Sequence, residues 1–289
     1  MAQDKVLTYN PRPTAPWLTL PAGACDSHVH VFGPAEYFPF DPARGFTPVD
    51  APKETLFALH RLLGIERCVI VQSLIHGYDN RVVEDAIAAG GGRYLGVALV
   101  PVDVPDAELA RLAATGFRGV RFNFMRHLAS PAGIEGVVAF TRRLAPYGLH
   151  LQVHFESCLV HSLAEPLARS AVPVVIDHMG RVDAALGAEH ADFLALHRLM
   201  RNPLFRVKVS GIDRVCNSSD YTAGIALAKQ LVRDFPERCL WGTDWPHPNH
   251  HHVPDDAVLA DSLAQIAPDA AALRQLLVTN PQSFYRFDA

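Results

Sequence analysis

Short apolar segments recur eight times along the chain, and longer segments with helical spacing separate them. The apolar runs span residues 25–31, 67–72, 94–100, 118–124, 149–155, 172–178, 205–211 and 238–244. Between several of these runs, apolar residues recur every three or four positions, as at 55–63, 82–89, 107–114, 134–144 and 221–232. This alternation predicts parallel strands joined by helices, and eight such units predict a closed (β/α)8 barrel.

An open, doubly wound sheet is the alternative fold for such an alternation. However, no Gly-x-Gly-x-x-Gly sequence follows the first strand, and the three glycines at 90–92 end a helical segment, where glycine serves as a cap. Runs such as 68–71 are almost continuously apolar, as parallel strands covered on both faces must be. We therefore expect one distorted barrel of the α/β class over residues 24–289, preceded by a proline-rich extended arm at 1–23.

Composition and charge narrow the class of protein. The 289 residues are 49% hydrophobic and 19% charged with a formal net charge of −4, so neither nucleic acid nor a membrane is expected as a partner. Five widely spaced cysteines without a Cys-x-x-Cys pair indicate neither a disulfide framework nor a thiolate zinc site. With no signal peptide and no membrane-spanning run, a cytoplasmic location is expected. Apolar stripes on the outer helices suit packing on the barrel, and they would also suit a homodimer.

Polar side chains cluster where the predicted strands end. His28 and His30 lie two residues apart on the first strand and therefore share one of its faces. The ends of the later strands carry Arg121, Asn123, His154, Asp177, His178, Lys208, Ser210, Thr243 and Asp244. Any one of these residues alone would more often be structural, but active sites of such barrels lie at the carboxyl ends of the strands. Their joint placement predicts a polar active site at that end.

Four histidines and one aspartate around a barrel mouth suit hydrolysis in two ways. Neutral imidazoles and a carboxylate can ligate a divalent metal that activates water. Alternatively, Asp244 can deprotonate water without a metal while the histidines polarise a carbonyl oxygen and stabilise the oxyanion that follows. The residue types leave both mechanisms open.

Several motifs resemble those of a known family. They are the His-x-His of the first strand, Gly-Val-Arg-Phe-Asn-Phe at 119–124, Asp-His-Met-Gly-Arg at 177–181 and Trp-Gly-Thr-Asp-Trp-Pro-His-Pro at 241–248. Together with His154, they resemble the amidohydrolase superfamily over residues 24–287. Within that superfamily, the chain is most similar to 2-pyrone-4,6-dicarboxylate lactonases and related lactone hydrolases. The resemblance implies a hydrolase that opens a small anionic lactone carrying carboxylates.

The resemblance also implies roles for individual residues. Asp244 would be the general base for the hydrolytic water, and His28, His30 and His178 would polarise the lactone carbonyl. Positions that the family uses around the substrate and its carboxylates correspond to Arg121, Arg181, Arg214 and Asn249. Bidentate pairing between guanidinium and carboxylate is the physical reason for arginine at such positions.

Three positions depart from the dicarboxylate lactonase pattern. Phe46 and His154 each stand where that group has tyrosine, and His127 stands where a carboxylate-binding arginine is expected. Each change alters a polar contact with the substrate, so the particular pyrone is in question. Arg126 is the candidate to replace the missing guanidinium. We expect these residues and Asn123 to lie around the substrate.

His154 also restores a fifth-strand histidine that metal-dependent members of the superfamily carry. One zinc or manganese ion between His28, His30, His154 and Asp244, with His178 as the acid/base partner, is therefore one hypothesis, and a metal-free site is the other. The alternative functions are a sugar-acid lactonase and a metal-dependent decarboxylase of the same superfamily. A binding or scaffold protein that has lost its chemistry is disfavoured, since Asp244 and all four histidines are present.

Overall fold

Eight parallel strands pair in the order in which they occur along the chain. The structure is a computed structural model, and it describes residues 5–125, 132–216, 218–249 and 252–287. The strands are β1 Cys25–Val29, β2 Arg67–Val71, β3 Tyr94–Ala98, β4 Phe117–Phe124, β5 His150–Phe155, β6 Val174–Ile176, β7 Phe205–Lys208 and β8 Cys239–Leu240. This order, with helices between the strands, confirms the predicted barrel.

Helices connect the strands and cover the outside of the barrel. The α-helices are α1 Lys53–Leu63, α2 Arg81–Ala89, α3 Asp106–Ala114, α4 Ile134–Leu144, α5 Val160–Leu167, α6 Ala191–Leu199, α7 Ile212–Cys216, α8 Thr222–Asp234, α9 Asp256–Asp261, α10 Leu263–Ile266, α11 Ala270–Arg274 and α12 Asn280–Tyr285. Short 3₁₀ turns lie at Ala145–Tyr147, Ser157–Leu159, His178–Arg181 and Ala184–Leu186, and a π-helical turn lies at Gln275–Thr279. None of the helices in the described residues is long and apolar enough to cross a bilayer.

The last three strands are shorter than the apolar runs that predicted them. The run at 172–178 yields only Val174–Ile176, and the run at 238–244 yields only Cys239–Leu240. In each case the chain turns before the polar end of the run, since His178 has φ 48° and Asp244 has φ 68°. A strand cannot continue through a left-handed residue, so these side chains leave the sheet at the barrel rim.

The barrel closes between β8 and β1 through single hydrogen bonds, and no regular ladder joins these two strands in the described part of the chain. Ser27 N–H donates to the Trp241 carbonyl at 2.8 Å, and Asp244 N–H donates to the His28 carbonyl at 2.8 Å. Gly242 allows this approach, because a Cβ there would lie 2.5 Å from the His28 backbone nitrogen. The seam therefore brings His28 and Asp244 side by side.

Two apolar layers hold the barrel together. The larger layer lies between the strands and the surrounding helices. The smaller one fills the barrel interior with side chains such as Val69, Val97 and Leu240, and the C-terminal residues Tyr285 and Phe287 pack against it. The C-terminal segment thus plugs the amino end of the barrel and leaves the carboxyl end open.

Residues 5–23 run over the surface without a helix or a regular strand. Val6 forms an isolated bridge with Pro48, and the backbone N–H groups of Thr14 and Leu18 donate to the carboxylates of Asp255 and Asp261 at 3.0 and 2.9 Å. These bonds tie the segment to α9 near the open end.

Candidate active site

A cavity of about 250 Å³ opens at the carboxyl ends of the strands. It is lined by His30, Phe46, Arg121, Asn123, His154, His178, Arg181, Arg214, Asp244 and Asn249, together with Gly45, Ser73, Leu74, Ile75, Met125 and Pro248. The structure therefore brings together every described residue that the sequence placed in the site, with His28 fully buried directly behind Asp244. Arg126 and His127 lie outside the described residues.

Asp244 stands at the centre of the site with its two oxygens in different environments. Its Oδ1 lies 3.6 Å from His28 Nε2, 3.4 Å from His30 Nε2 and 3.6 Å from His178 Nε2. Its Oδ2 accepts a hydrogen bond from Arg214 Nε. Oδ1 is buried and forms no hydrogen bond with the described residues. One oxygen is thus fixed by Arg214, and the other faces three imidazoles.

Each of these three histidines is oriented through its other ring nitrogen. His30 Nδ1–H donates to the Val71 carbonyl at 2.7 Å, which turns its Nε2 toward Asp244. His178 Nδ1 lies 3.0 Å from Ser210 Oγ. A partner at the second nitrogen fixes both the ring and its tautomer, as is usual for histidines that bind metals or act in catalysis.

His28 is held differently, by charged groups inside the barrel. Its Nδ1 lies 3.2 Å from Lys208 Nζ and 3.3 Å from Asp177 Oδ1. Lys208 also donates to Gln152 Oε1 at 2.9 Å, and Arg121 Nε donates to Asp177 Oδ2 at 2.8 Å. Lys208 and Asp177 are fully buried, so a polar layer supports His28 from below.

This supporting layer is not among the residues that the sequence assigns to the site. Asp177 and Lys208 are predicted to lie at strand ends without a role in catalysis or binding, and Gln152 carries no prediction. The sequence does contain a signal for Gln152, because it lies two residues before His154 on β5 and therefore shares a strand face with it. Gln152 also stands opposite Arg121 in the β4–β5 register.

Burial and neighbouring charges set the protonation states. Burial, assisted by Lys208, lowers the pKa of His28 to about 3, and burial also lowers the pKa values of His154 and His178 well below their usual range. Burial alone would raise the pKa of Asp244, but Arg214 and His178 outweigh it and hold that pKa well below its usual range. At neutral pH, His28, His154 and His178 are therefore neutral imidazoles, and Asp244 is a carboxylate.

The three arginines of the cavity differ in their partners. Arg121 is paired with Asp177, and Arg214 is paired with Asp244 and also donates to the Pro248 carbonyl at 3.0 Å. Arg181 forms no hydrogen bond or ion pair within the described ranges, although it lines the cavity. Burial and the proximity of Arg214 lower the pKa of Arg181 to about 10. Arg181 is thus a guanidinium available for a ligand.

Two groups of buried side chains have a donor set that fits a divalent metal. Within each group the possible ligand atoms lie within 4.8 Å of one another, and the groups are His28 with His30 and Asp244, and His28 with Asp177 and His178. His154 belongs to neither of them, in contrast to the hypothesis of a four-residue set. Its Nδ1 instead lies 3.3 Å from Asn123 Oδ1, and its Nε2 has no hydrogen-bond partner in the described residues.

The sequence model of the amidohydrolase family matches residues 25–287. The chain belongs to this family. This amidohydrolase is 40% identical to a 2-pyrone-4,6-dicarboxylate hydrolase from Comamonas testosteroni, over 96% of its own length and 95% of the relative's. It is 39% identical to a 4-sulfomuconolactone hydrolase from Hydrogenophaga intermedia, over 92% and 89% of the two chains.

A solved structure agrees with the amidohydrolase fold. A probable 2-pyrone-4,6-dicarboxylic acid hydrolase from Acinetobacter baumannii, with citric acid bound, superposes with a TM-score of 0.79 at 27% identity. The match covers 92% of this amidohydrolase and 100% of that chain. The family match and the superposed barrel therefore confirm the resemblance to amidohydrolases that the sequence motifs indicated.

Proposed function

We propose that this chain is a hydrolase that opens a lactone carrying two acidic groups, by attack of water that Asp244 activates. The observation that carries the proposal is the unbonded Oδ1 of Asp244, which faces three imidazole nitrogens in a cavity lined by arginines. The similarity to curated hydrolases of a pyrone dicarboxylate and of a sulfomuconolactone supports the same substrate class.

The charge balance of the cavity favours a dianion. Three guanidinium groups and one carboxylate line it, and the buried Lys208 and Asp177 behind it offset each other. Guanidinium groups in the lining therefore outnumber carboxylates by two. A substrate with two acidic groups would complement this excess better than a sugar-acid lactone with a single carboxylate.

Arg181 would bind one acidic group of the substrate, because its guanidinium is not engaged by a carboxylate of the described residues. Arg121 already donates to Asp177 through Nε, which leaves its remaining N–H groups for the second acidic group. Pairing of this kind would set the lactone carbonyl against the histidines. Phe46 and Asn249 would lie at the rim of the bound ring.

In the hydrolytic step, Asp244 Oδ1 would take a proton from water as the water oxygen forms a bond to the lactone carbonyl carbon. The N–H group of His178, which lines the cavity, would stabilise the oxyanion, as a neutral imidazole can when its pKa is low. The ring C–O bond then breaks, and the proton passes from Asp244 to the leaving oxygen. The new carboxylic acid ionises, so each turnover releases one proton.

A divalent metal held by His28, His30 and Asp244 would supply a Lewis acid and a bound water of lowered pKa. The chain's own groups keep their roles in either version, since Arg214 still fixes Oδ2 and Arg181 still binds the substrate. Elemental analysis of protein purified without chelator tests this point. Activity lost on stripping and regained with zinc or manganese supports a metal, and full activity without metal rejects it.

The function is tested by a screen of lactones, including pyrone dicarboxylate and sugar-acid lactones, read by a pH indicator. Release of one proton per turnover without carbon dioxide is expected for lactone hydrolysis. Release of carbon dioxide would identify the decarboxylase instead, and activity confined to lactones with one carboxylate would contradict the dianion. Asp244→Asn is the negative control, and any proton release that it shows is spontaneous hydrolysis of the lactone.

We also propose a cytoplasmic location. All five cysteines, among them Cys25 and Cys239 in strands, are free thiols, which suits a reducing compartment.

A further inference from the structure

A second cavity, here called the lower cavity, lies at the opposite end of the barrel. Its volume is about 310 Å³, and it is formed where β4 to β7 begin and where the C-terminal segment covers them. The charged and ionisable side chains that line it are Arg118, His150, Arg206 and Arg286. Among its described lining residues there is no aspartate and no glutamate.

Arg206 lines this cavity without a hydrogen-bonding or charged partner among the described residues. It is half-buried, its guanidinium carbon lies 4.4 Å from the centre of the Phe284 ring, and it forms no hydrogen bond or ion pair within the part of the chain that the structure describes. Burial lowers the pKa of Arg206, and nearby Arg238 lowers it further. A half-buried cation without a counter-charge is unfavourable, so a bound anion would relieve it.

The neighbouring groups point to the same chemistry. Arg286 donates to the Gly148 carbonyl at 2.6 Å through one nitrogen, which leaves its other N–H groups free for a ligand. His150 is 4% exposed, and its Nε2 has no hydrogen-bond partner among the described residues. Burial lowers the pKa of His150 to about 3, so the ring is neutral and offers one more polar atom without adding charge.

We propose that the lower cavity binds a small oxyanion, a phosphate or a carboxylate, through Arg206 and Arg286 with a further polar contact from His150. Planar guanidinium groups match the oxygens of either anion in pairs, and the Phe284 ring fixes the plane of Arg206. The site is separate from the catalytic cavity, because His150 and His154 lie four residues apart on β5, about 13 Å along the strand.

The test uses the whole chain and titrates inorganic phosphate by calorimetry at low ionic strength, with succinate as a second titrant. Arg206→Gln is expected to weaken binding at least about tenfold, as is Arg286→Gln, because each removes charge-assisted hydrogen bonds. The matched control is Arg238→Gln, since Arg238 is also half-buried and lies over an aromatic ring, Phe235, but does not line the cavity. This control should weaken binding much less than Arg206→Gln does, because Arg238 acts on the site only through its charge and does not line the cavity.

Arg181→Gln separates this site from the catalytic cavity. Retained binding in Arg181→Gln together with loss in Arg206→Gln supports the proposal, and the titrant that binds more tightly identifies the anion. Binding that is lost in Arg181→Gln and unchanged in Arg206→Gln would place the anion in the catalytic cavity and overturn the proposal. Absence of binding by both titrants, or equal weakening in Arg206→Gln and Arg238→Gln, would also overturn it. Lactone hydrolysis by Arg206→Gln should be unchanged, which shows that the variant is folded.

Discussion

The two ends of the barrel use the same residue types for different purposes. At the carboxyl end, arginines and histidines surround two buried carboxylates, Asp177 and Asp244. At the amino end, arginines and His150 line a cavity in which no described residue supplies a carboxylate. Proton transfer needs a group that can accept a proton, and the carboxylate of Asp244 provides it only at the carboxyl end. Among its described residues, the amino end has the groups for binding an anion but no carboxylate that could activate water.

The largest expected effect comes from removing the carboxylate that distinguishes the two ends. Asp244→Asn should reduce kcat by about 10³-fold, because the amide cannot accept the proton of the attacking water. The measurement is proton release under saturating lactone. Asp192→Asn, which alters an aspartate paired with His161 on the surface, should retain full activity. A fall of less than tenfold in Asp244→Asn would exclude this carboxylate as the base.

The next effect concerns the charged layer beneath His28. Lys208→Met should lower kcat about tenfold, because His28 loses a hydrogen-bond partner at Nδ1, and it should lower the free energy of unfolding by about 3 kcal/mol. The surface control is Lys229→Met on α8. In Lys208→Met, the buried carboxylate of Asp177 has lost one of its cationic partners. Adding Asp177→Asn removes that carboxylate and should therefore restore part of the free energy of unfolding. Additive losses in the double variant would contradict this coupling.

Arg181 and Arg206 provide the direct comparison between the two cavities, since neither is paired within the described residues. Arg181→Gln should raise KM for the lactone by about 10- to 100-fold with a smaller change in kcat, because it removes a charge-assisted contact to the bound substrate. Arg206→Gln should leave KM unchanged. If both variants raise KM equally, the loss comes from a lower overall positive charge of the protein, and Arg181 does not contact the substrate.

Acid should lower the free energy of unfolding through a buried histidine at each end of the barrel. The pKa of His28 and that of His150 are lowered to about 3 by burial and by Lys208, so both rings stay neutral in the folded chain while the unfolded chain takes up protons below about pH 6.5. The free energy of unfolding should therefore fall as pH drops from 6.5 toward 3, by about 1.4 kcal/mol per pH unit for each such histidine. Urea unfolding at pH 7, 6 and 5 measures it. His150→Gln should flatten the slope, and an unchanged slope in that variant would contradict the role of His150.

Much of the carboxyl end was predictable from the sequence, and the reason is the order of the barrel. Residues that end parallel strands meet at one rim, so His28, His178 and Asp244 could be placed together without coordinates. The contacts that join Gln152, Lys208 and Asp177 into one layer could not. A strand face shared with His154 indicates which way Gln152 points, but it does not show which residues of the neighbouring strands stand beside it. Those neighbours depend on the register between strands, as in the pairing of Arg121 with Gln152.

The lower cavity was not predictable for a different reason. Phe284 and Arg286 meet Arg206 and His150 only because the C-terminal segment folds back under the barrel. Contacts between residues so far apart in the chain leave no local pattern. The left-handed turns at His178 and Asp244 were likewise hidden, since neither residue is a glycine and nothing in the runs marks where the strands end.

The smallest expected effect distinguishes two roles of Arg206 at the amino end, namely binding an anion and stabilising the fold. Without an anion, Arg206→Gln should change the free energy of unfolding by less than about 0.5 kcal/mol. The loss of the contact with Phe284 costs about as much as the removal of a half-buried, uncompensated charge restores. Phosphate should then raise the thermal midpoint of the unaltered chain more than that of the variant, because a ligand that binds only the folded state stabilises it. A loss of several kcal/mol in the absence of phosphate would mean that Arg206 is needed to hold the C-terminal segment in place, and the contrast between a catalytic end and an anion-binding end would no longer hold.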